Sequence, residues 1–228
     1  MKNDKLKQYF KSEELLGRGI YWVENTVIKT TSSVTKEGKV KVLDELKNEV
    51  LRCKKCGLHK TRNKVVFGEG NPNCVIMLVG EAPGREEDLQ GRPFVGEAGK
   101  LLDKMLEAIG FSREDVYIAN VLKCRPPGNR DPLPEEIRAC KDYLMRQIEI
   151  IKPSIILTLG KFATSVILDK SRYEFSRLRG KICDWKGIKV LPTFHPAALL
   201  RHRGWKKEAW EHLKLLRRLY DEREERTN

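Results

Sequence analysis

Three groups of residues in this chain have types and spacings that could do chemistry. The first is Gly80-Glu-Ala-Pro-Gly84, followed by Arg85-Glu-Glu-Asp88 and Gly91-Arg-Pro-Phe-Val-Gly96. A glycine-bounded turn lets the backbone approach a ligand closely. A plain strand-to-helix loop is the competing reading, and the acidic residues with Gly-Arg-Pro-Phe make it less comfortable. The glycine spacing is not that of a dinucleotide-binding G-x-G-x-x-G. The second group is Phe194-His195-Pro-Ala-Ala198, in which a histidine closes a β-prone run. On residues alone it divides evenly between a structural and a chemical role. The third is the cysteines: Cys53-x-x-Cys56, then Cys124 and Cys140, with Cys74 and Cys183 standing alone. Four thiolates could hold Zn²⁺ or an iron–sulfur cluster. An isolated Cys-x-x-Cys more often meets zinc, yet the second pair lacks the spacing of a zinc ribbon, so both metals stay open.

The elements around these residues alternate. Val75-Ile-Met-Leu-Val79 is a continuous apolar run of the kind found in strands buried on both faces. Helical spacing follows over 98–109, with Gly110 suited to its end. Further strands are expected at 116–121, 155–159 and 189–194, a helix from Pro134 to about Ile151, and a last amphipathic helix over 206–220. Another helix is expected over 42–52. Strands separated by helices of this length pair in parallel through right-handed crossovers. The expected fold is therefore α/β: three layers, α/β/α, around a central, mainly parallel four-stranded sheet. Ligands of such sheets bind beyond the carboxyl ends of the strands, which picks out Gly80–Gly84, Asn120, Gly160 and His195–Leu199. Residues 1–40 differ from the rest, with short β-prone runs at 20–23 and 27–30 and a linker-like polar stretch. They read as an extension of unknown role, with the main domain over 41–228.

Composition narrows the partner. The 228 residues carry 45 Lys and Arg against 32 Asp and Glu, a net charge of +13. Such an excess favours an anionic partner, nucleic acid first, although a thermophile's charge-rich surface is also compatible. Apolar runs are too short for a membrane span and the N-terminus lacks a signal-peptide core, so a cytoplasmic protein with no membrane partner is expected; a monomer is expected as well. In that compartment six cysteines do not read as structural disulfides.

Taken in order, Gly-Glu-Ala-Pro-Gly, Gly-Arg-Pro-Phe-Val-Gly, Asn120, Lys123-Cys-Arg-Pro-Pro127 and His195-Pro-Ala-Ala198 resemble the family 4 uracil-DNA glycosylases, the thermophile-type iron–sulfur branch of that superfamily. The resemblance spans roughly residues 41–220. It implies a monofunctional hydrolase of N-glycosyl bonds that flips deoxyuridine out of double- or single-stranded DNA, releases uracil and leaves an abasic site for base excision repair. It implies a [4Fe–4S] cluster on Cys53, Cys56, Cys124 and Cys140. His195 would donate to uracil O2, Asn120 would read the base edge, and Phe94 would stack on the flipped base. Gly80, Glu81 and Ala82 complete the uracil-binding set. Where better-known relatives carry a water-orienting aspartate, this chain has Ala82, and Gly84 stands in place of their thymine-blocking tyrosine. Glu81, as a pocket residue, and Glu87, as a water-positioning one, become the candidate carboxylates.

Arg125, Arg130, Arg201 and Arg203, with Lys206 and Lys207, could hold phosphates, and Leu199 and Leu200 could wedge into the base stack. The bland alternative is a solvated helix face and two core leucines. A variant of the superfamily that bonds covalently to its DNA uses a histidine in a basic loop. The stretch from Phe175 to Lys181 has Arg177, Arg179 and Lys181 but no histidine, which speaks against that variant. A DNA-binding module without activity would not need His195, Asn120 and Phe94 together.

Overall fold

The computed structural model describes residues 36–226. The β-prone runs at 20–23 and 27–30 lie outside the described residues. The first described helix, α1 (Lys36–Leu51), starts earlier than its apolar spacing suggests, inside the stretch that reads as a linker.

Six strands form one sheet: β1 (Glu69–Gly70), β2 (Ile76–Gly80), β3 (Val116–Asn120), β4 (Ile155–Leu159), β5 (Cys183–Trp185) and β6 (Ile188–Thr193), in the order β1-β3-β2-β4-β6-β5. The inner four are parallel, and β1 and β5 add short antiparallel edges. The three-layer fold is as expected; the edges differ because strands of two and three residues leave no periodic signal. Every residue of β2, β3 and β4 is buried, as strands covered on both faces must be.

Alternation along the strands sorts their side chains into two cores. On one face Met77, Val79, Tyr117, Ala119 and Ile156 pack with Leu46 and Val50 of α1, Tyr143 and Leu144 of α4 (Pro134–Ile151), and Ala163 and Ile167 of α5 (Lys161–Leu168). On the other face Ile76, Leu78, Ile118, Ile155 and Leu157 meet Leu102 and Leu106 of α3 (Glu97–Glu107) and Leu213 and Leu216 of α8 (Lys206–Glu225). Shorter helices α2 (Arg85–Gln90), α6 (Phe175–Leu178) and α7 (Pro196–Arg201) sit in the connections. Among the described residues no helix is long and apolar enough to cross a membrane.

The parallel register aligns the strand ends. Gly80 pairs with Asn120 across β2–β3, and Leu159 with Thr193 across β4–β6. The turn after Gly80, Asn120, Gly160 and His195 thus emerge along one edge of the sheet, although they lie far apart in the chain.

Candidate active site

Beyond that edge lies a pocket of about 640 Å³, within the range of small-molecule sites. Glu81, Ala82, Gly84, Glu87, Phe94, Asn120 and His195 line it, so most of the residues picked out in the sequence converge. Gly80 is buried behind them. A Cβ at Gly80 would fall 2.3 Å from Asn120 Oδ1 and 2.6 Å from the Phe94 ring, so only glycine allows these two side chains to meet over the strand end.

Asn120 is 2 % exposed, and its Oδ1 is the one buried side-chain polar atom without a hydrogen-bond partner among the described residues. An unpaired buried acceptor costs stability, and its position in the wall suits a donor brought by a ligand. The backbone carbonyl of Asn120 accepts from Lys123 Nζ at 2.8 Å. Lys123 is 1 % exposed, and burial pushes its ammonium down to about 8. Its second acceptor is Gln147 Oε1 at 2.6 Å, and Gln147 in turn donates to Phe67 O.

His195 caps the N-terminus of α7, and its Nδ1 accepts from Ala197 N–H at 3.2 Å. A nitrogen that accepts carries no proton, so in the neutral ring Nε2 is the donor. Burial holds the imidazole down at about 4; Arg201 lowers it further and Glu87 opposes. The ring is therefore neutral near pH 7. Phe94 lies beside it, ring centroids 5.6 Å apart.

The two carboxylates differ. Glu87 is buried, and its oxygens accept three backbone N–H groups: Gly84 (3.1 Å), Val95 (2.8 Å) and Gly96 (2.9 Å). That uses three of its roughly four acceptor positions and ties the Gly80–Gly84 turn to the Gly91–Gly96 loop. Glu81 is only partly buried, and desolvation raises it to about 7, with Asp131 adding to the rise and Lys161, Arg172 and Arg201 opposing it.

Among the residues assigned to phosphates and stacking, Arg201 lines the pocket. Arg130 lines it too, but its guanidinium forks onto Glu136 at 2.9 and 2.6 Å. Arg125 donates to Asn129 Oδ1 at 2.7 Å, and Arg203 is exposed on the 3₁₀ turn that follows α7. Leu199 cannot wedge into a base stack: it is 1 % exposed within the core, whereas Leu200 is 42 % exposed. Adjacent helical residues point about 100° apart, so only one of the pair can face the sheet.

Several wall residues were not among the site candidates read from the sequence. Phe175, Ser176 and Arg179 arrive from the segment before β5, and Trp205 from the 3₁₀ turn that precedes α8. Trp205 stacks on Phe194 (5.0 Å) and Arg179 covers the same ring (4.3 Å). Only the fold puts them beside His195.

The [4Fe–4S] expectation is not met. Among the described residues no group of three or more His, Cys, Asp or Glu could hold a metal ion. Cys53, Cys56, Cys124 and Cys140 do line one pocket, but its void measures about 10 Å³, barely the space of a water. Three of the sulfurs accept protein hydrogen bonds: Cys53 from Lys55 N, Cys124 from Arg62 Nη1 and Cys140 from Lys123 N. Burial pushes the Cys124 thiol up and the Cys140 thiol to about 11. The iron–sulfur and metal-binding properties implied by the resemblance, and with them the thermophile-type iron–sulfur character, are therefore not found in this chain's described residues.

Fold and site together define a three-layer α/β protein with a pocket at the carboxyl ends of its parallel strands, lined by a neutral histidine and by an asparagine whose Oδ1 has no partner. Comparison with known proteins places it more narrowly. The profile of the uracil DNA glycosylase superfamily matches residues 67–214. The chain is 53% identical over 176 residues to a type-4 uracil-DNA glycosylase of Archaeoglobus fulgidus, covering 74% of this chain and 88% of the relative. It is 51% identical over 185 residues to the type-4 enzyme of Sulfurisphaera tokodaii (78% and 84%), and 51% over 171 residues to that of Thermotoga maritima (75% and 88%). The chain belongs to the uracil-DNA glycosylase superfamily, among its type-4 members.

Proposed function

We propose that the protein hydrolyses the N-glycosidic bond of deoxyuridine in DNA, releasing uracil and leaving an abasic site. The observation that carries this reading is that one pocket is lined both by Asn120, whose Oδ1 has no partner, and by the neutral, Nε2-protonated His195.

A base inside a duplex must first be flipped out. Asn120 Oδ1 then accepts from uracil N3–H while its amide nitrogen donates to O4. Cytosine has no N3–H and carries an amino group in place of O4, so it leaves the acceptor unpaired and meets the donor with another donor. Phe94 supplies a face for the ring. As the C1′–N1 bond lengthens, negative charge gathers on uracil and positive character on the sugar. A fixed Nε2–H aimed at O2 stabilises the departing anion, and a neutral imidazole can hold that proton without first gaining one.

Glu87 fits a positioning role, since its carboxylate is already engaged by both glycine-bounded loops. Glu81 is then the carboxylate available to the attacking water. Leu200, Arg201 and Arg203 form the DNA-facing edge, with Leu200 in the wedge position.

His195→Ala is expected to bind uracil-containing DNA and to lose activity by roughly 100- to 1,000-fold, measured by alkaline strand cleavage after incubation with a uracil oligonucleotide. Wild-type turnover by this variant would remove the basis of the assignment.

A further inference from the structure

Phe94 sits in the left-handed region, at φ 53, a strained backbone conformation that is uncommon for a bulky residue and persists only where the surroundings impose it. Three observations show what imposes it. Gly99 has no side chain where a Cβ would fall 1.9 Å from the Phe94 carbonyl oxygen, so α3 approaches that carbonyl as no other residue would allow. The carbonyl accepts from Arg113 Nη2, and the preceding carbonyl, Pro93 O, accepts from Arg113 Nη1 at 3.0 Å. Finally, the guanidinium is itself fixed: Nε donates to Asp103 Oδ1 at 2.7 Å and Nη1 to Glu69 Oε1 at 3.0 Å. Glu69 also receives a fork from Arg92 at 2.8 and 3.1 Å.

We infer that Arg113, braced by Glu69 and Asp103, is a positioning residue that sets the Phe94 ring against the base, acting through the Pro93 and Phe94 carbonyls. A guanidinium is suited to this because its donors diverge in one rigid plane and can hold two carbonyls and two carboxylates together. A lysine presents one ammonium and cannot span all four. The chain of contacts also accounts for the order Gly91-Arg-Pro-Phe: Arg92 ties the loop to the edge strand, and Arg113 fastens the two carbonyls that follow. The inference rests on the reading above, in which Phe94 faces the base.

The test is a double-mutant cycle on the full chain, using single-turnover excision from a single-stranded uracil oligonucleotide together with thermal melting. Phe94→Ala, Arg113→Met and the double variant are compared with wild type, and Arg113→Lys is carried alongside in case the methionine variant does not fold. If Arg113 acts through Phe94, Arg113→Met slows excision roughly 10- to 100-fold in the wild-type background but by less than about twofold once Phe94 is already alanine, with Arg113→Lys rescuing only part of the rate. A merely stabilising arginine lowers melting equally in both backgrounds and slows both alike, which overturns the inference. Wild-type excision by Arg113→Met while Phe94→Ala is slow overturns it as well and leaves Phe94's role intact. Wild-type excision by Phe94→Ala instead sinks the reading on which the inference depends.

Discussion

The carboxylate and the imidazole in the pocket are shifted in opposite directions by one cause. Burial disfavours charge, so the Glu81 carboxyl rises to about 7 while the His195 imidazolium falls to about 4. Glu81 therefore has a stability signature. Its folded pKa lies above that of an unfolded glutamate, so its contribution is fully present below about 4.5 and is lost as pH rises through about 7. Glu81→Gln, which never ionises, is expected to melt with wild type near pH 4.5. At pH 8 it should be more stable by roughly 1–3 kcal/mol. Urea titrations at the two pH values check this, and a constant offset between variants at both would contradict the titration. His195 has the reverse sign: its depressed pKa costs stability as pH falls from about 6.5 toward about 4.

Helix α7 shows what a short element decides. Pro196 opens it and His195 caps it, both visible as residue types in the sequence. The apolar pair Leu199-Leu200 carries no phase of its own, because a six-residue helix does not announce which side meets the sheet. The fold turns Leu199 inward and Leu200 outward. Leu199→Ala is expected to cost about 2–5 kcal/mol of stability through the cavity it leaves. Leu200→Ala should stay within about 0.5 kcal/mol of wild type, yet slow excision from duplex DNA more than from single strands, where no stack has to be opened. Equal slowing on both substrates would argue against a wedge at Leu200. The larger elements were easier to read: β4 and α4 have the bounds their apolar runs imply, because continuous burial and 3.6-residue periodicity leave strong local traces. The edge strands β1 and β5 were not legible, and neither was the early start of α1.

Across the whole molecule, net charge becomes a distribution. Arg92, Arg113, Arg130, Arg146, Arg177, Arg179 and Arg217 are engaged in ion pairs. The side chains of Arg201, Arg203, Lys206 and Lys207 make no ion pair or hydrogen bond among the described residues, and they follow directly on the pocket's histidine helix. Unpaired cations beside a pocket are the ones free to displace counterions from phosphates. Replacing Arg203 and Lys207 with glutamine should flatten the plot of log affinity for single-stranded DNA against log salt by about 0.7 for each phosphate no longer neutralised, with melting unchanged. An unaltered slope would place the DNA elsewhere on the surface.

By itself the sequence determined the alternation of strands and helices, the glycine-bounded turn, and the candidacy of Asn120, His195 and Phe94, because these depend on local periodicity, backbone freedom and residue chemistry. The tertiary structure alone decided what those residues can do. It leaves Asn120 Oδ1 unpaired, sets the His195 tautomer through Ala197 N–H, and commits Glu87 to backbone amides. It turns Leu199 inward, gathers four cysteines without making a metal site, and fastens Phe94 to Arg113. Each of these depends on which groups from distant segments meet at the strand ends, and spacing along a chain carries no record of such meetings.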